Sequence, residues 1–212
     1  MATKAELERQ KLEAEIRKTT AEADIAEFDR AQWVREEAAA AAAEHQHNIY
    51  TFIGAVGGSS VEKCMQILGR WSRRDPGCDI TIVFNSPGGS VFDGLALYDE
   101  LTTLKERGHK ITTIARGMAA SMGGILLQAG DERLVGKNAW VLVHEVSSGM
   151  RGSTTEMEED LKFTRRLQDR CLEILAERST LSKQQIARKW KKHDWWISAD
   201  EAVDLGFADK VG

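Results

Sequence analysis

With 212 residues the chain can bury one full α/β core and still carry an extension, but it is too short for two ordinary globular domains. Apolar residues at 42% and charged residues at 29% fit a soluble protein, and no apolar run approaches the ~20 residues of a membrane span. The net charge of -4 resides in residues 1–44, where seven Lys or Arg face eleven Asp or Glu; the neutral remainder lacks a nucleic-acid footprint. The opening Met-Ala-Thr-Lys-Ala-Glu has no apolar signal core, so the expectation is a cytoplasmic protein without nucleic-acid or membrane partners. Cys64, Cys78 and Cys171 are scattered and form no C-x-x-C pair, which predicts reduced buried thiols and neither metal nor cofactor.

Residues 3–45 read as one long polar helix without Gly or Pro, ending in six alanines at 38–43. Its apolar positions (Leu7, Leu12, Ile16, Ile25, Phe28, Val34) are too sparse to fold it alone, so it lies against a neighbour, self-associates or stays solvated. The expected division is an extension over 1–48 and a globular domain over 49–212. A strand at 49–53 opens that domain, and Ser59 or Ser60 can cap a helix running to Trp71.

A period of about thirty residues follows, in the manner of successive β-α units. Strand 80–84 leads through Asn85-Ser-Pro-Gly-Gly89 to a helix at 91–105, and strand 111–114 leads through Gly117-Met-Ala-Ala-Ser121 to a helical run. Strand 140–144 ends at His144 and is followed by a polar, Gly-containing segment and a helix at 156–178. A short helix at 182–190, the run His193-Asp-Trp-Trp-Ile-Ser198 and a second short helix from Ala199 complete the chain. Strands this apolar predict a mostly parallel sheet covered on both faces.

Each of these three strands ends in a chemically useful group: Gly88-Gly89, Ser121 and His144. Ligands of open α/β sheets bind outside the carboxyl ends of the strands, so the three ends can share one crevice. Ser121 is flanked by small residues that leave its hydroxyl uncrowded, and a helix starting beside it offers unpaired N–H groups to an oxyanion. Small residues at a strand-helix junction equally suit packing, with Ser121 as a helix cap. His144 is a candidate base for Ser121, and Gly89 can present an N–H to a carbonyl oxygen. Among the acids, Asp194 beside Trp195 and Trp196 suits an orienting role better than Asp200, Asp204 or Asp209, which read as exposed; a surface ion pair with Lys191 or Lys192 is its alternative.

Four stretches in order carry a family resemblance: Asn85-Ser-Pro-Gly-Gly89, Gly117-Met-Ala-Ala-Ser-Met-Gly123, Val141-Leu-Val-His144, and Asp194-Trp-Trp-Ile-Ser-Ala-Asp-Glu-Ala202 with Leu205-Gly206. In these the chain resembles the proteolytic subunit of the Clp protease, peptidase family S14, within the ClpP/crotonase superfamily. The resemblance implies an α/β fold, a ClpP/crotonase-like spiral of β-α units with a handle strand and helix (147–178), here preceded by the long amino-terminal helix. It also implies Ser121 as nucleophile, His144 as general base and acid, Asp194 as the acid that orients the imidazole, and Gly89 and Met122 as oxyanion donors. Unfolded or extended polypeptide is the implied substrate, laid as an added strand along residues 148–153. Heptameric rings stacked as fourteen subunits are the implied assembly, with an ATPase unfoldase as possible partner.

Two departures qualify the resemblance. Glu145-Val146 follows the histidine where the family usually has Gln-Pro, and the long helix replaces the family's short pore loop. The wording Ser86-Pro-Gly-Gly-Ser-Val-Phe-Asp-Gly94 is more similar to the ClpP-like head-maturation proteases of phages and prophages, for which the helix suits a capsid or scaffold partner. Against a serine endopeptidase stand two alternatives: a crotonase-like acyl-CoA enzyme, and a non-enzymatic ring or scaffold subunit.

Overall fold

Each apolar strand is followed by a helix that returns the chain to the same end of the sheet, which makes the neighbouring strands parallel. In the computed structural model, which describes residues 6, 15, 17–20, 22–23, 25–27, 29–35, 47–149, 151–191 and 193–212, the main path of the sheet runs β1-β2-β3-β4-β7. These strands are β1 (Ile49–Ile53), β2 (Ile80–Ser86), β3 (Ile111–Ala120), β4 (Glu132–Val135) and β7 (Lys210–Val211), all paired in parallel. β5 (Trp140–Val143) joins β3 in parallel, and β6 (Trp195–Ile197) adds to β5 antiparallel.

The sheet branches within β3. Residues 112–115 pair with β4, whereas residues 118–120 pair with β5. On the other side Phe84 lies opposite Ala115 but Ser86 lies opposite Ala119, so β3 carries two extra residues across that step. Gly117 takes φ +74° there, and a β-carbon on it would come 2.8 Å from Asn85 Oδ1. This bulge lets the end of β3 take a new neighbour and delivers Ser121 beside β5.

The helices are α1 (Gly58–Arg74), α2 (Val91–Glu106), α3 (Met122–Leu127), α4 (Thr154–Arg178), α5 (Lys183–Lys189) and α6 (Ala199–Asp204). α1 begins two to three residues earlier than expected, with Gly57 instead of Ser59 or Ser60 at its N-cap, and Ser60 takes the third helical position, where its hydroxyl accepts the Gly57 N–H. Its buried stripe of Val61, Cys64, Leu68 and Trp71 follows helical spacing and meets the β1 and β2 core of Phe52, Ile80, Ile82 and Phe84. Ser153 caps α4 with Glu156 in a reciprocal box, so the helix starts slightly before the expected residue 156.

Two features differ from the sequence expectation. The handle helix forms as α4, but the handle strand does not: the described residues of 147–153 belong to no ladder, because no strand of their own chain runs beside them. Asp209 is not an idle turn acid. It binds Arg133, a residue only 2% exposed, through Oδ1 at 2.6 Å and through Oδ2, while Arg133 also donates to Gln128 and to the Gly206 carbonyl. The network ties β4 to the carboxyl-terminal segment beside β7, two strands that the sequence expectation did not include.

The chain divides into two compact units, Met1–Gln46 and His47–Gly212. In the first unit the described residues are helical and exposed, including Ile25, Trp33 and Val34. The alanine run at 38–43 lies outside the described residues.

Candidate active site

Among the described residues five helices have a serine at the N-cap, and four of these serines behave alike. Ser90, Ser153, Ser182 and Ser198 each accept a backbone N–H three residues on. Ser121 does not: its side chain makes no capping bond, although α3 starts directly after it. Its backbone is also unlike theirs, with φ 54° and ψ -119°, one of only two non-glycine residues at positive φ among those described. Such a conformation costs roughly 1–3 kcal/mol and is tolerated where the surroundings over-determine it, commonly at a reacting group. The capping alternative therefore fails, and the hydroxyl stays uncommitted at a sharp strand-to-helix turn, partly exposed.

The β3–β5 register sets what lies next to it. Ala120 pairs with Leu142, and the Ser121 N–H donates to the Leu142 carbonyl at 2.8 Å, which extends the ladder by one bond. His144 follows immediately after β5 and, half-buried, lines the same cavity as Ser121. On the far side of β5, Val143 pairs with Trp195 of β6, so one more antiparallel step brings Asp194 level with His144. Asp194 is exposed and is not one of the cavity-lining residues. Among the described residues no hydrogen bond joins Ser121 to His144 or His144 to Asp194. Contacts of this kind commonly tighten only around a bound reactant.

The remaining two sequence candidates, Gly89 and Met122, also line the cavity. Gly88 and Gly89 follow β2 at φ +91° and +152°, held by the Val56 N–H on the Gly88 carbonyl and the Ser90 N–H on the Val56 carbonyl. Among the described residues, neither the Gly89 N–H nor the Met122 N–H has a hydrogen-bond acceptor. Two unspent donors thus flank an unspent hydroxyl.

Residues 60–212 match the family model described as Clp protease. The chain belongs to the Clp protease family. Relatives include the ATP-dependent Clp protease proteolytic subunit 3 of Streptomyces coelicolor, 39% identical over 153 residues that span 70% of this chain and 67% of that protein. The corresponding subunit 3 of Rhodococcus jostii is 36% identical over 74% of this chain and 77% of its own length, and the proteolytic subunit of Deinococcus radiodurans 34% over 65% and 67%. As a ClpP-like member of peptidase family S14, the chain is a serine endopeptidase, a peptide-bond hydrolase. This family assignment disfavours both the acyl-CoA enzyme and the non-enzymatic subunit.

In this Clp protease family member the cavity is small, about 60 Å³, and open to solvent on one side. Its walls include Val91 of α2, Cys171 and Leu175 of α4, Ile125 of α3 and Trp190 just past α5. Sequence reasoning missed these walls, whose only signal was the apolar stripe of Cys171, Leu172, Ile174 and Leu175 along α4. Burial pushes the Cys171 thiol up to about 11, so a thiolate does not compete with Ser121 in this cavity. No helix among the described residues is long and apolar enough to cross a membrane, and no cluster among them could hold a metal ion.

Proposed function

We propose that Ser121 is the nucleophile of this Clp-type protease, with His144 as general base and Asp194 orienting the imidazole. The observation that carries this reading is the hydroxyl of Ser121, released from capping at a strained turn and sharing a cavity with His144. Ser121 Oγ attacks the scissile carbonyl as His144 takes its proton, and His144 then returns the proton to the leaving amine. Water, activated by the same imidazole, hydrolyses the acyl-enzyme. The Gly89 and Met122 N–H groups bind the oxyanion in both steps, which their lack of other acceptors favours.

The substrate is an unfolded or extended polypeptide. Residues 147–149, 151 and 152 join no strand ladder and Ser147 lines the cavity, and such backbone is suited to pairing with a peptide strand. Working subunits assemble as heptameric rings stacked as fourteen; exposed Trp140 and Trp196 line one apolar surface hollow with Met118, a patch that suits contact between copies. We place the domain at 49–212 and give the 1–48 extension a partner-binding role, toward an ATPase unfoldase or, for a phage-type protease, a capsid or scaffold protein. A cytoplasmic location suits such partners. The test is turnover of a denatured protein by the purified chain: Ser121→Ala should remove it while particle mass is unchanged, and residual turnover by that variant would reject the assignment.

A further inference from the structure

The segment that follows His144 is not free. Val146 is partly buried and packs against the core, so its N–H needs an acceptor, and Gln168 Oε1 of α4 takes it at 3.3 Å. Two residues on, the Ser148 hydroxyl meets the Thr164 hydroxyl, also at 3.3 Å. The two contacts run in opposite chain directions, 146 with 168 and 148 with 164. Their spacings agree: two residues of extended chain cover about 6.6 Å, and four residues of helix rise about 6 Å. An extended segment laid antiparallel along one face of a helix can therefore repeat the contact without strain. Continued by one step, the register brings His144 level with Leu172, between the cavity-lining Cys171 and Leu175.

We propose that Gln168, assisted by Thr164, is a positioning residue for the protease reaction: it clamps the segment after His144 onto α4 and so sets the imidazole against Ser121. Gln168 is not itself a lining residue of the cavity and acts only through the backbone of Val146. The clamp also fixes the course of residues 147 and 148, which join no strand ladder and can pair with a peptide. A first link in the same direction is the stack of Phe163 on Phe92, with centroids 6.0 Å apart and planes 16° from parallel, which joins α4 to the start of α2. The helix that holds the histidine segment is thereby tied to the helix that follows Gly89.

This inference rests on His144 being the base for Ser121, and the experiment separates the two. The rate of phosphonylation by a fluorophosphonate and the kcat for a short peptide are measured for the wild-type chain and for Gln168→Ala, Gln168→Met and Gln168→Glu. Attachment of the wild-type label to Ser121 is the control for the underlying reading; a label elsewhere rejects that reading and the clamp with it. With the label on Ser121, Ala and Met should slow phosphonylation and kcat about five- to tenfold, the worth of one neutral hydrogen bond. Glu, which keeps the acceptor, should recover most of that rate. In a Val146→Pro background, which has no N–H to satisfy, Gln168→Ala should cost less than about twofold. Wild-type rates in Gln168→Met, no recovery in Gln168→Glu, or an undiminished loss in the proline background each overturn the clamp. A melting temperature within a few degrees of wild type for Gln168→Met separates misplacement from unfolding, and a Gln168→Met rate loss that simply follows the unfolded fraction also overturns it.

Discussion

Gly88 lies directly beneath Ser121: a β-carbon on the glycine would stand 2.6 Å from Ser121 Cβ, 2.7 Å from the Ala120 carbonyl oxygen and 2.9 Å from the Met122 nitrogen. The turn after β2 and the turn after β3 are thus pressed together, and the serine and one candidate oxyanion donor take their positions from that contact. No side chain fits between them.

Replacing Gly88 with Ala should therefore damage the site more than the fold. The substitution meets the Ser121 β-carbon and backbone at two points and occupies φ +91°, a conformation that costs an L-residue about 1–3 kcal/mol. Displacing Ser121 by even an ångström lowers the reaction rate by about a hundredfold. Urea titration and phosphonylation rate measured on the same sample check this, and labelling at the wild-type rate would contradict the contact.

Asp194 should behave as an orienting acid even though it is exposed. By analogy with serine proteases whose orienting aspartate was neutralised, Asp194→Asn should lower kcat by about 10³–10⁴ and leave KM nearly unchanged. The comparison variants are Asp200→Asn and Asp204→Asn, expected within about twofold of wild type on the rule for exposed helix acids. A loss below tenfold at Asp194 would move the role to another group.

The Arg133–Asp209 pair predicts a pH-dependent stability. Burial opposes the ionised form of Asp209, but hydrogen bonds and charge from Arg133, aided by Arg178, outweigh it and hold the carboxyl below its ordinary range. A depressed folded value stabilises the fold above the unfolded carboxylate range and loses that contribution as pH falls through the folded value. Asp209→Asn should cost about 1–3 kcal/mol at pH 7, below the full value for a buried pair because the aspartate is about one-third exposed. The penalty should be unchanged at pH 5 and shrink below about pH 4. Equal penalties at pH 7 and pH 3.5 would mean that the pair contributes packing and not charge.

Cys171 offers a check on which nucleophile the cavity uses. With the thiol near 11, the thiolate fraction at pH 7.5 is roughly one in three thousand. Iodoacetamide should leave Cys171 intact over a time in which a small free thiol is consumed, as followed by intact mass. Rapid alkylation there would identify an activated thiol beside Ser121.

The β-α units were legible because their apolar strands and the helices after them obey local rules: 80–84 and 140–143 formed strands, and the helices that follow them start on the capping serines Ser90 and Ser153. β4 was not legible, since Glu132-Arg-Leu-Val135 places a charge at a buried position and only Asp209, far along the chain, makes that tolerable. The branch in β3 depends on its register against two different neighbours, which no local pattern encodes. Ser121 and His144 could be proposed from their places at strand ends, and they do share a cavity. What marks Ser121 apart from the capping serines is a backbone dihedral set by Gly88 and β5. Composition around residue 121 carries no trace of it.

The proposed mechanism requires that one hydroxyl in this chain is the attacking group. Treatment with a fluorophosphonate, followed by intact mass and peptide mapping, addresses it without knowledge of the natural substrate. A single adduct per chain is expected on Ser121, abolished in Ser121→Ala and slowed strongly in His144→Ala. An adduct on any other residue, or undiminished labelling of Ser121→Ala, would contradict it.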